Sequence, residues 1–241
     1  QWGLQNSDNW VTAGLMSRTS PITFKRLLES FGLRGPIEAT MAMSLGTPEA
    51  TVGEMVSGYT TFVNDGVRVD PVLVTQIEDM HGNIVAAFTP QMTEVLTADA
   101  ANKMLYMLQN VINGGTGGRL RSSFGLQMPL GGKTGTTQNN SDTWFMGFTP
   151  DLVAGCWVGG EERSVRFNSM AFGQGAAAAL PIFGKFIKKV YSDRDLGYLV
   201  NIPFRMPEGF SPCADAGGGE AVEVFEGIPS DSLGAGSDFS F

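Results

Sequence analysis

Residues 130–148 read LGGKTGTTQNNSDTWFMGF, and this stretch decides how the chain folds. An apolar approach leads into Lys133, with threonine hydroxyls on both sides of Gly135, and an apolar aromatic run follows at 144–148. This pattern predicts two neighbouring strands of a sheet, 130–137 and 143–148. Gly135 removes a side chain where another backbone must come close. Lys133 and the hydroxyls can then hold an anion beside the first strand.

The segments around this stretch predict helices early in the chain, an antiparallel meander later and a closing helix. Ser20 is expected to cap the second helix, and Thr51 with Glu54 to form a capping box at the start of the third. The order of these elements predicts an α+β fold. The predicted helices are 8–16, 20–32, 51–64, 98–112 and 178–191, with a hairpin within 71–88, a flexible loop at 113–118 and a third meander strand at 152–159.

The end of the chain differs in composition from the rest. Residues 214–241 carry six acidic residues and no Lys or Arg, whereas the whole chain has a net charge of −8, which leaves about −2 for the remainder. Few large apolar side chains stand there to offset the entropy of ordering the chain. We therefore expect a folded part at 1–200 and an acidic, Gly- and Ser-rich tail at 201–241 that is largely disordered.

Charge and residue counts exclude several classes of function. A net charge of −8 argues against nucleic acid as a partner. The single histidine, His81, argues against a Ser-His-Asp triad and against a metal site built on several histidines. The two cysteines, Cys156 and Cys213, lack the spacing of a metal or redox motif, and whether they pair stays open. No apolar run reaches the roughly 18–20 residues that span a bilayer.

A second triplet, Ser7-Asp8-Asn9, lies at the other end of the chain. Alone it is most often a helix N-cap, just as Lys133 alone is most often a solvated charge. Together, S-D-N and K-T-G are two members of a motif set whose third member is S-x-x-K. None of the six lysines follows a serine at that spacing, and the chain does not begin with Met. We therefore expect an N-terminally truncated chain that lacks the nucleophile segment.

The triplets and the segments between them resemble one family. Residues 45–66, 115–117 and 141–150 are similar to the transpeptidase domain of class A, bifunctional penicillin-binding proteins, and the resemblance covers residues 1–191. It implies the fold shared by penicillin-binding transpeptidases and serine β-lactamases, an antiparallel sheet flanked by helices. It also implies acyl transfer from peptides ending in D-Ala-D-Ala through a serine ester, with β-lactams as mimics of the donor.

The resemblance assigns roles to particular residues. Ser7 would relay a proton between the base and the leaving amine, and Asn9 would orient the substrate's peptide bond. Lys133 would supply positive charge for the substrate's terminal carboxylate.

The residues after Lys133 would complete the substrate site. Thr134 and Thr136 would donate hydroxyls to the carboxylate, and Gly135 would permit the extended substrate to approach the strand edge. The N–H of Thr136 would form half of the oxyanion hole.

The family also implies ligands and a location. Peptidoglycan stem peptides and β-lactams are the expected ligands, cell-wall assembly proteins are further partners, and no metal or organic cofactor is implied. The expected location is the periplasm or outer face of the cytoplasmic membrane, with a membrane anchor upstream of Gln1. Without the nucleophile segment the fragment alone is expected to be inactive.

Two other functions stay open at this point. The first is a D,D-carboxypeptidase or β-lactamase-like serine hydrolase, in which water replaces the acceptor amine. The second is a non-catalytic module that senses β-lactams or peptidoglycan, which would explain the missing S-x-x-K without truncation.

Overall fold

A computed structural model of the chain describes residues 1–212. Cys213 and the disorder predicted for 214–241 lie outside the described residues. Contacts along the chain define a first unit from Gln1 to Glu208, and the boundary expected at residue 200 stays a prediction. Within this unit the ring of Phe204 packs edge-on against Phe148, with 5.7 Å between the ring centroids.

The described part combines helices with short antiparallel strands, which confirms the predicted α+β fold. Its helices are α1 (Trp2–Asn6), α2 (Asn9–Met16), α3 (Pro21–Ser30), α4 (Val52–Val63), α5 (Ala98–Gly114), α6 (Arg119–Ser122) and α7 (Ala179–Ser192), with 3₁₀ turns at Met41–Leu45, Gln138–Asn140 and Arg194–Leu196. Its strands are β1 (Val67–Val69), β2 (Gln76–Glu78), β3 (Ile84–Ala87), β4 (Met92–Glu94), β5 (Gly131–Thr136), β6 (Asp142–Phe148) and β7 (Val153–Gly159).

The predicted meander is the antiparallel sheet β5-β6-β7. Side chains of a strand alternate between the two faces of its sheet, and in β6 Phe145 and Phe148 lie on opposite faces. Phe145 packs against Phe183 of α7, with 4.9 Å between ring centroids. Phe148 packs in a cluster with Leu105 and Leu108 of α5. The sheet is therefore flanked by helices on both faces, as expected.

Two helix starts show where capping was predicted well and where it was not. The capping box is present, because Thr51 N donates to Glu54 Oε2 (2.7 Å) and Glu54 N donates to Thr51 Oγ1 (3.2 Å). The prediction for Ser20 is wrong in one respect: α3 begins at Pro21, but the Ser20 side chain makes no capping hydrogen bond. Asp8 caps α2 by accepting from Val11 N at 2.8 Å.

The flexible loop predicted at 113–118 is instead tightly folded. α5 continues to Gly114, and Gly117 N donates to Val111 O (2.9 Å) before α6 begins. A Cβ on Gly115 would lie only 2.2 Å from Gln5 O, so glycine is required where α1 crosses this turn. The glycine-rich run thus holds α1 against the end of α5.

The longest helix of residues 1–212 is α5, with 17 residues. None of the helices there has both the length and the apolar character needed to cross a bilayer.

Candidate active site

A cavity of about 430 Å³ opens beside β5, where α1 and α2 meet the sheet. Among the residues described, no charged side chain lines it; the lining is mainly hydroxyl and carboxamide groups. Four of the predicted site residues are among those lining it: Ser7, Asn9, Thr134 and Thr136. The fold therefore brings the two distant triplets to one site.

Lys133 connects the two triplets directly. Its Nζ donates to Ser7 Oγ at 2.7 Å and to Thr134 O at 2.8 Å. Ser7 ends α1 in the left-handed conformation (φ 57°, ψ 45°), which non-glycine residues adopt rarely. α1 thus ends at Ser7, and the Ser7 hydroxyl contacts Lys133, which lies 126 positions later in the chain.

The charge of Lys133 has no counterion in the described structure. No carboxylate of residues 1–212 forms an ion pair with it. Burial lowers the pKa of Lys133 to about 8 from an ordinary value of 10.5, because a buried ammonium group loses its hydration. A partly desolvated cation that contacts Ser7, one of the residues lining a neutral polar cavity, favours an anionic ligand.

Each hydroxyl beside this cation already has one hydrogen-bond partner. Thr136 Oγ1 accepts from Gly175 N at 3.1 Å, and Ser7 Oγ accepts from Lys133. Thr134 Oγ1 lies 2.8 Å from Thr116 Oγ1. A hydroxyl that accepts one hydrogen bond keeps its own hydrogen for an acceptor such as a carboxylate oxygen. The site is therefore equipped to donate to an anion.

A second backbone segment comes close to Gly135, as predicted. In the structure this segment is part of the same chain and contains Gly175. A Cβ on Gly175 would lie 2.5 Å from Gly135 O and 2.6 Å from Trp144 O. The segment before α7 therefore packs closely against β5 and β6. The approach of a substrate at Gly135 remains a prediction.

Asn9 differs from the other predicted residues. It is exposed and lines the cavity, but its side chain makes no hydrogen bond to any of residues 1–212. Its amide is therefore available to a ligand.

Several residues of the cavity were not predicted. Thr116 lies in the glycine-rich turn, and Gln174 precedes Gly175. Asn139 and Asn140 adopt left-handed conformations (φ 60° and 57°). Tandem asparagines are a turn signal that would have placed a bend there. No sequence spacing would have placed Thr116 or Gly175 beside β5.

The sequence model of the penicillin binding protein transpeptidase domain matches residues 1–158, and the chain belongs to this family. This confirms the predicted resemblance. Among the curated relatives, penicillin-binding protein 1A of Rickettsia conorii is 27% identical over 256 aligned residues, which cover 93% of this chain and 31% of the relative. Penicillin-binding protein 1A of Aquifex aeolicus is 29% identical over 201 residues, covering 81% and 26%. The chain thus spans about a third or less of these relatives.

Solved structures agree on the fold. Penicillin-binding protein 1A from Haemophilus influenzae superposes with a TM-score of 0.71 at 23% identity, covering 80% of this chain and 34% of that one. PonA1 from Mycobacterium tuberculosis also gives 0.71, at 18% identity, covering 85% and 58%. At these identities the likeness shows the fold alone.

Proposed function

We propose that the whole protein is a peptidoglycan D,D-transpeptidase that cross-links stem peptides ending in D-Ala-D-Ala and binds β-lactams. This chain would supply its substrate-binding side. The observation that carries the proposal is the 2.7 Å contact between Lys133 Nζ and Ser7 Oγ, which joins the K-T-G and S-D-N triplets at one cavity. Membership of the transpeptidase family supports it.

The terminal carboxylate of the substrate would bind at the carboxylate site, which consists of Lys133, Thr134 and Thr136. Lys133 provides a positive charge that has no carboxylate partner among residues 1–212. Thr136 keeps its hydroxyl hydrogen to donate, and the pair of Thr134 and Thr116 keeps one hydroxyl hydrogen between them. Charge-assisted hydrogen bonds of this kind are about twice as strong as neutral ones. Binding the carboxylate here would lay the peptide along the edge of β5.

Ser7 would act as the proton relay. Its hydroxyl would give its proton to the leaving amine of the terminal D-Ala while its oxygen takes up the proton that the upstream lysine base removed from the nucleophilic serine, and the hydrogen bond from Lys133 Nζ would hold this oxygen in place. Asn9, which also lines the cavity, would orient the substrate's peptide bond. The N–H of Thr136 would contribute to the oxyanion hole.

The nucleophilic serine and its lysine base are proposed to lie upstream of Gln1, together with a membrane anchor. The enzyme would then work on the outer face of the cytoplasmic membrane, alongside cell-wall assembly proteins. No step of this proposal uses a metal or organic cofactor.

The test is the intact mass of the full-length protein after exposure to benzylpenicillin. We expect one covalent adduct on the wild type and much slower adduct formation in Lys133→Ala, because the carboxylate loses its cation. Lys185→Ala, at an exposed lysine of α7, is the matched control and should behave as the wild type. A folded full-length protein that forms no adduct would refute the proposal and favour a non-catalytic sensor.

A product assay then separates transpeptidation from hydrolysis. Cross-linked dimers from stem-peptide substrate are expected from a transpeptidase. Release of D-Ala without dimers would identify a D,D-carboxypeptidase instead.

A further inference from the structure

Thr116 lies at the junction of three elements that build the site. Its N–H donates to Gln5 O of α1 at 3.2 Å, and it lies two residues after the end of α5. Its hydroxyl lies 2.8 Å from the hydroxyl of Thr134 in β5. The residue therefore connects the helix that carries Ser7 with the strand that carries Lys133.

The turn around Thr116 is held without the Thr116 side chain. Gly117 N donates to Val111 O (2.9 Å), Gly118 N donates to Gly115 O (3.0 Å), and the close approach of Gly115 to Gln5 fixes α1. All of these are backbone contacts. The turn therefore does not depend on the hydroxyl of Thr116. Thr116 nevertheless lines the cavity, and its hydroxyl contacts Thr134 of the carboxylate site.

Two adjacent hydroxyls share hydrogens in a defined way. When Thr116 donates to Thr134, the hydroxyl hydrogen of Thr134 is left free for another acceptor. Hydrogen bonds in such a chain polarise one another, which strengthens the outer donor. The pair therefore presents one strengthened O–H to an acceptor in the cavity.

We propose that Thr116 is a positioning residue for substrate binding, which orients the Thr134 hydroxyl toward the terminal carboxylate of the peptide or the carboxylate of a β-lactam. The inference rests on the proposed function and extends its carboxylate site to a residue outside both motif triplets.

The experiment compares two ligands that differ at the carboxylate alone. The acylation rate constants of the full-length protein are measured with benzylpenicillin and with its methyl ester, in the wild type and in Thr116→Val and Thr116→Ser. Valine keeps the shape of threonine without the hydroxyl, and serine keeps the hydroxyl. Thr75→Val, at an exposed threonine away from the cavity, is the matched control. The thermal midpoint of each variant reports folding.

We expect Thr116→Val to slow acylation by benzylpenicillin about tenfold, since one hydrogen bond to a charged group is weakened, and to leave the rate with the ester unchanged. Thr116→Ser and Thr75→Val should match the wild type with both ligands.

Two other results would overturn the inference while leaving the proposed function standing. One is an equal loss with the acid and the ester, which would make Thr116 merely structural. The other is no loss in Thr116→Val. If instead the wild type forms no adduct, or reacts equally with acid and ester, the carboxylate site itself fails and the inference fails with it.

Discussion

Lys133 combines a cationic side chain, partial burial and the lack of any carboxylate partner among residues 1–212. Burial lowers its pKa to about 8. A lysine with a lowered pKa carries its charge below that value and loses it as the pH rises through it. Recognition of an anion by this residue should therefore weaken at mildly alkaline pH.

We predict that the ratio of acylation rates for benzylpenicillin and its methyl ester falls as the pH rises through about 8. One pH unit higher, about a tenth of the lysine remains charged, so the ratio should fall up to about tenfold. Because the nucleophile is the same for both ligands, its own pH dependence drops out when the rate with the acid is divided by the rate with the ester. Lys133→Arg, which stays charged, should give a flat ratio, and a flat ratio in the wild type would contradict the prediction.

The sequence indicated which motif residues belong together but not which residues contact them. Ser7, Thr134 and Thr136 line one cavity in the structure, and their roles in binding and catalysis stay predictions from the family resemblance. Thr116 and Gly175 were missed as partners of Thr134 and Thr136, because these contacts arise from packing between segments far apart in the chain.

Among the elements, local signals predicted the longer helices and the meander, and they also predicted the hairpin of β2 and β3 within 71–88 in spite of its short strands. The capping box of α4 was predicted correctly because two residues specify it together. The side chains of Thr51 and Glu54 each accept a hydrogen bond from the backbone N–H of the other residue. α1, β1 and β4 were missed, since each has five residues or fewer and short segments depend on tertiary partners. β1 pairs with β4, where Arg68 lies opposite Thr93.

The capping box gives a prediction for stability. Thr51→Ala should lower the free energy of unfolding by about 1 kcal/mol, because Glu54 N loses its acceptor. Ser20→Ala is the matched control and should cost less than half as much, since Ser20 makes no capping hydrogen bond. Urea unfolding at neutral pH measures both, and equal losses would contradict the prediction.

The same capping box has a pH dependence. The hydrogen bond from the Thr51 backbone N–H lowers the pKa of Glu54 below its ordinary value of 4.5. Its stabilisation is complete above the unfolded value and is lost as the pH falls through the lowered folded value. We expect the stability difference between wild type and Glu54→Gln to shrink on acidification through this range in urea titrations. A difference that stays constant or grows there would be the contrary result.

The segment before α7 provides a prediction about close packing. Gly175→Ala should slow acylation by benzylpenicillin, because the added Cβ meets backbone oxygens of Gly135 and Trp144 at 2.5–2.6 Å and displaces the donor to Thr136. Gly14→Ala is the control, since nothing lies within 4 Å of its Cβ. An unchanged rate in Gly175→Ala would show that the segment does not support the carboxylate site.

For the whole molecule, the fold was predictable because several motifs occur in family order, and the family match at 1–158 confirms it. The packing of α7 on the sheet lies beyond that match, yet helical periodicity predicted the helix. The division of the chain at 201 and the state of its acidic end remain predictions from composition.

The last prediction concerns this chain by itself. We expect no β-lactam adduct on the isolated 241 residues, because no serine stands three positions before a lysine. Intact mass after benzylpenicillin treatment measures this, with the full-length protein as the positive control. The Ser7 hydroxyl accepts a hydrogen bond from the ammonium group of Lys133, so an adduct mapped to Ser7 by peptide sequencing would contradict the prediction.

The contact between Ser7 and Lys133 also bears on how the site forms in time. Its partners stand 126 positions apart, and closing so long a loop is among the slower steps of folding. During synthesis α1 leaves the ribosome long before β5 exists, so ligand recognition can arise only after the sheet has formed. Ligand binding at this site would therefore report that the two ends of this long loop have come together.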